Sequence, residues 1–65
     1  MIRTRDYVIE RALALFEGNA VHAHRWLAEA NRALNWIAPE EMLSSPAGID
    51  RVLKLIAQLE HGVYP

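Results

Sequence analysis

Between Asp6 and Glu17 the apolar residues fall in two parallel rows. Ile9, Leu13 and Phe16 form one and Val8, Ala12 and Leu15 the next, each with the i, i+4, i+7 spacing of a helix. At about 100 degrees per residue these six side chains share one arc, while Asp6, Glu10 and Glu17 line the other side. The segment from about Asp6 to Glu17 therefore predicts a helix that buries one face. Gly18 suits a left-handed stop, and Asn19 directly after it can accept from the first free amides of a second helix. The connection is expected to be very short.

The second helix is expected from Ala20 to about Glu29, with Ala20, Ala23, Leu27 and Ala30 along its apolar row and Trp26 at the row's edge. Residues Asn31 to Ile37 show no clean period and read as a folded-down loop anchored by Leu34 and Ile37. Pro39 then opens a short helical turn, with Glu40 and Glu41 at its positive end and Met42 and Leu43 pointing inward. Ser44-Ser45-Pro46 is the strongest helix start in the chain, and the last helix continues to about Glu60. Ile49, Val52, Leu53, Ile56 and Leu59 share its apolar face, opposite Asp50, Arg51, Lys54, Gln58 and His61, and Gly62 closes it. No segment alternates as a strand does. The expected fold is all-α, a small bundle of three main helices plus one short one, in a single domain over residues 1–65.

Size constrains how such a bundle holds together. A chain of 65 residues buries only roughly 60% of the surface it exposes unfolded, so its stability is marginal without a staple. The chain has no cysteine, which removes both disulfides and thiolate zinc sites and argues against a small secreted scaffold. No apolar run approaches the roughly 20 residues that span a bilayer, and Met1 to Asp6 lacks the apolar core of a signal peptide. These features predict a cytoplasmic protein without a membrane segment. Seven Lys+Arg against eight Asp+Glu also lack the electrostatic footprint of a stand-alone nucleic-acid binder.

Candidate chemistry is sparse. His22 and His24 sit about 200 degrees apart around a helix, so they cannot share a metal ion, and they read as solvated surface residues. Glu40-Glu41 reads as compensation of a helix dipole rather than as a catalytic pair. With no nucleophile triad, phosphate loop or nucleotide motif, neither enzymatic activity nor a cofactor is expected. Three features point to a protein partner instead. Trp36 lies outside any periodic face, where it either folds over the core or stands exposed as an interface anchor. Glu60 falls about 20 degrees from Ile49, inside the apolar arc, so it needs a partner or must lie where the helix leaves the core. The apolar arcs of the first and last helices, about 160 degrees wide, also exceed what a three-helix core needs and are compatible with self-association.

In order along the chain, Phe16, Ala23, Trp26-Leu27, Asn31, Leu34, Pro39, Leu43, Gly48, Val52, Leu55 and Glu60-His61-Gly62-Val63-Tyr64 resemble the toxin-binding domain of the Xre/MbcA/ParS antitoxins. The resemblance covers about residues 12–65. It implies a bacterial type II antitoxin that silences a RES-type toxin, one that consumes NAD or transfers ADP-ribose, by blocking its active site with the antitoxin's C-terminal end. Carried over by position, the toxin contacts are Glu60, His61, Gly62, Val63 and Tyr64, with Arg51 and Lys54 on the polar face as further candidates.

Members often carry two glycines where this chain has Asn35-Trp36, and because tryptophan resists left-handed backbone, the loop is expected to be shaped differently. The helix-turn-helix of Xre-type members has no counterpart in these 65 residues, which reads as a short stand-alone form or as the C-terminal domain of a longer chain. The rival readings are a helical oligomerisation module and a fragment of a DNA-binding regulator. Tight turns between short helices favour the latter, and the charge balance opposes it.

Overall fold

Thr4 starts the first helix: its Oγ1 accepts from the Tyr7 amide at 3.2 Å, and Asp6 adds a carboxylate to the first turn. The computed structural model describes residues 4–62, with α1 at Arg5–Leu15, α2 at Ala20–Ala28 and α3 at Pro46–Glu60. Two 3-10 turns, Arg32–Leu34 and Pro39–Met42, separate α2 from α3. The fold is all-α. Among the described residues there is no strand, only an isolated antiparallel bridge between Asn31 and Ile37.

α1 stops two residues short of the expected Glu17 because its end closes on itself. The Gly18 amide donates to the Leu13 carbonyl at 2.8 Å and the Glu17 amide to that of Ala14 at 3.1 Å, the paired bonds of a Schellman stop. Gly18 is left-handed, as expected, at φ 84°, but Glu17 before it is left-handed too, at φ 55°. Asn19 then caps α2, its Oδ1 accepting from the His22 amide at 3.1 Å.

The core joins one face of each helix to the connecting loops. Val8 and Ala12 of α1, Ala23 and Leu27 of α2, and Leu34 and Leu43 from the loops surround Ile49, Val52, Leu53, Leu55 and Ile56 of α3. Leu55, at the margin of the expected arc, is almost fully buried, and cutting it to alanine would cost about 2–5 kcal/mol. Two expectations for this core fail. Ala20 and Ala30 are exposed, because α2 turns only Ala23 and Leu27 fully inward. Leu34 anchors the loop, but Ile37 does not: it is 41% exposed, beyond the left-handed corner that turns the chain outward.

The second 3-10 turn packs against both α2 and α3. Pro39, Ala38 and Leu43 are buried under it, while Met42 is half-buried. Ser45 caps α3 by accepting from the Gly48 amide at 3.1 Å, and Pro46 occupies the first turn, as expected. No described helix is long and apolar enough to cross a membrane.

Candidate functional site

Among the described residues, those expected to meet a partner fall in two places, one at the end of α3 and one along its side. Arg51 and Glu60 are nine positions apart, which sets them about 180 degrees apart around the helix and about 13 Å apart along it. One cluster therefore gathers at the end of α3, and the other lies beside the loop that carries Trp36.

At the helix end, Glu60 has the partner that its position in the apolar arc demands. Arg11 of α1 donates from Nη2 to Glu60 Oε1 at 2.7 Å and from Nη1 to the Tyr7 hydroxyl at 3.1 Å. Its guanidinium carbon also lies 5.8 Å from the centre of the Tyr7 ring. The hydrogen bonds to Tyr7 first and to Glu60 second hold Arg11 above its already high basicity, so it keeps its charge throughout. Glu60 also lies where the helix leaves the core, at the last residue of α3. The His61 amide donates to Ala57 at 3.1 Å and the Gly62 amide to Leu59 at 3.1 Å. Both residues are exposed, and Gly62 is left-handed at φ 76°. Val63 and Tyr64, the other expected contacts here, lie outside the described residues.

The loop cluster is built differently. Asn31 Oδ1 accepts from the Ala33 amide at 2.9 Å, and the Trp36 amide donates to the Asn31 carbonyl at 2.8 Å. The Asn31 amide in turn donates to the Ile37 carbonyl at 3.2 Å, closing the segment. Arg51 holds it to α3 by donating from Nη2 to the Ala33 carbonyl at 2.8 Å. This half-buried arginine is engaged with its own chain, whereas Lys54, one turn on, is exposed. Asn35 and Trp36 sit at φ 57° and 65°. Trp36 thus takes the left-handed backbone that it was expected to refuse, and the hydrogen bonds on both sides enforce it. Its side chain is 67% exposed, which decides between the two readings of this residue in favour of the open one.

A third feature escaped the sequence reading. Phe16 meets His22 edge-on and Trp26 at a tilt, with ring centres at 6.4 and 6.3 Å, and the half-buried Trp26 packs against the core from the edge of its row. Two open hollows meet at this pair. One, of about 240 Å³, is bounded by His22, Arg25 and Glu29, and the other, of about 390 Å³, by Leu15 and Leu59. Leu59 brings the second to the residue before Glu60. It forms only where α1, α2 and the end of α3 come together, so no spacing within one helix signals it. Arg11 was missed as well, although the Tyr7 and Arg11 spacing of one helical turn was a signal for that contact. Among the described residues no three His, Cys, Asp or Glu side chains converge as a metal site would require.

Comparison with known proteins bears on the family of the chain. The family model described as the antitoxin Xre/MbcA/ParS C-terminal toxin-binding domain matches residues 11–62. Antitoxin Xre of Photorhabdus laumondii is 36% identical over 56 residues, 86% of this chain and 38% of the relative. Antitoxin Xre of Yersinia enterocolitica is 33% identical over 57 residues, 88% of this chain and 38% of the relative. The chain thus spans under half the length of both relatives. No solved structure matches it significantly. With most of the chain matched and both relatives above 30% identity, this chain belongs to the family of the antitoxin Xre/MbcA/ParS C-terminal toxin-binding domain.

Proposed function

We propose that the chain acts as one toxin-binding domain, residues 1–65, of a cytoplasmic type II antitoxin. It silences a RES-type toxin that consumes NAD or transfers ADP-ribose. The single observation that carries this reading is the end of α3, where His61 and Gly62 are exposed beside a Glu60 held in place from α1. The residues that resemble the family's C-terminal motif, Glu60 to Tyr64, begin there.

The mechanism is steric occlusion, with no chemistry on the toxin and no cofactor. Residues 60–64 cover the toxin's active site, and Tyr64 supplies rigid amphipathic contact area. Trp36, exposed on a braced loop, is a second contact on another side of α3, and the exposed Lys54 of α3 is a further one. Arg51 serves that contact by bracing the loop. Neither contact calls for nucleic acid or a membrane.

The test is co-expression with the toxin encoded beside this chain, purification through a tag on this chain, and an NAD-consumption assay on what co-elutes. A stable, inactive complex that regains NAD consumption when this chain is removed is the expected result. Absence of co-elution, with toxin activity undiminished, overturns the reading and leaves a helical oligomerisation module.

A further inference from the structure

The last turn of α3 carries a charge of the wrong sign. Glu60 sits at the negative end of the helix dipole, and no basic residue stands in that turn to offset it. A helix end in this state frays. The missing cation comes from another helix, across 49 positions of sequence: Arg11 reaches Glu60 Oε1 at 2.7 Å. Tyr7, one turn earlier on α1, holds the other arm of the guanidinium at 3.1 Å, so the arginine is aimed before it meets α3. The paired side chains are 30% and 31% exposed, and an ion pair that open to water adds little to global stability. Its reach is local: it ties the last turn of α3, which leads into His61 and Gly62, to α1.

We infer that Arg11 is a positioning residue for the toxin-binding end of the chain, acting through Glu60 with Tyr7 behind it. The inference rests on the function proposed above. It assigns a role to a helix that supplies none of the expected contacts. It also changes the role of Glu60, whose carboxylate is engaged within the chain and orders the contact surface instead of seeking a cation on the toxin.

The test uses the full chain with Arg11→Met, and the charge-reversed pair Arg11→Glu/Glu60→Arg. In the free chain, backbone order parameters of the His61 and Gly62 amides should fall from about 0.85 towards 0.6 in Arg11→Met and recover in the reversed pair. The midpoint of thermal unfolding should move by less than about 5 °C. Affinity of Arg11→Met for the toxin encoded beside this chain should weaken on the order of tenfold, because the ordering then has to be done on binding. Unchanged order at His61 and Gly62 overturns the inference, as does lost order with unchanged affinity. Tighter binding by Arg11→Met also overturns it, since that result means the toxin competes with Arg11 for Glu60. Failure of the unaltered chain to bind the toxin is a different result: it overturns the proposed function, while the order parameters of the free chain still report whether Arg11 holds the helix end.

Discussion

Gly48 of α3 lies so close to Met42 that a side chain at this position would overlap the Met42 carbonyl oxygen. The second 3-10 turn and the first turn of α3 therefore share one space, and it is backbone that fills it. Gly48→Ala must push the two segments apart, at a cost of about 1–3 kcal/mol. Urea unfolding followed by circular dichroism measures this directly. Stability equal to the parent would mean that the contact relaxes freely.

Glu17 carries a strain that glycine would remove. It stands left-handed in an exposed stop where most helices use glycine, and a side chain there costs roughly 1 kcal/mol. Glu17→Gly should accordingly raise stability by up to about 1 kcal/mol, less whatever the added freedom of the unfolded chain takes back. A fall in stability would show that the Glu17 side chain makes a contact of greater worth.

Trp36 shares this backbone strain, but its predicted outcome splits in two. Trp36→Gly should stabilise the free chain slightly, because the left-handed residue becomes unstrained and an exposed side chain is given up. The same change should weaken the toxin complex by more than about 1 kcal/mol if the indole is an anchor. Thermal unfolding and calorimetric titration, run on one preparation, separate the two effects. A large loss of stability with unchanged affinity would return Trp36 to the core.

Arg51 braces the Trp36 loop from α3 through its bond to the Ala33 carbonyl. Arg51→Met keeps the stem and removes the donor, so about 1–3 kcal/mol of hydrogen bonding to a charged group is lost. Amide exchange at Trp36 and Ile37 should accelerate more than at Val52. Uniform acceleration along the chain would indicate general destabilisation instead of a freed loop.

Deletion of residues 62–65 tests the occluding end as a unit. The buried core ends at Ile56 and the last side chain packed against it is Leu59, so the helical signal should persist. Protection of cells against the toxin should be lost. Undiminished protection by the shortened chain would place the contact elsewhere, with the Trp36 loop as the next candidate.

How legible all this was in the sequence depends on the range of the interactions. The helices announced themselves because amphipathic spacing, Asn19 and Ser45 as caps, Pro46, and Gly18 after the first helix act within a few residues of one another. Their effects are local, and so are their signals. Glu60 was legible as a question: its place in the apolar arc required a partner without naming one. Its answer, Arg11, lies 49 positions away, and only the packing of α1 on α3 brings the two within 2.7 Å. Trp36 misled in the opposite way, since its intrinsic aversion to left-handed backbone was overridden by the bond from its amide to the Asn31 carbonyl, the bond from the Asn31 amide to Ile37, and the Arg51 brace.

The sequence by itself determined the all-α class, the number and approximate limits of the helices, and the order of residues that marks the family. Each of these is written in short-range spacing. Tertiary structure alone decided that Glu60 is neutralised from α1, that Gly48 faces a carbonyl, that Ile37 and Trp36 turn outward, and that Phe16 and Trp26 frame a groove beside Leu59. The physical reason is common to all four. Each outcome depends on which distant groups the packed helices bring into contact, and a side chain's environment is a property of that packing rather than of its neighbours in sequence.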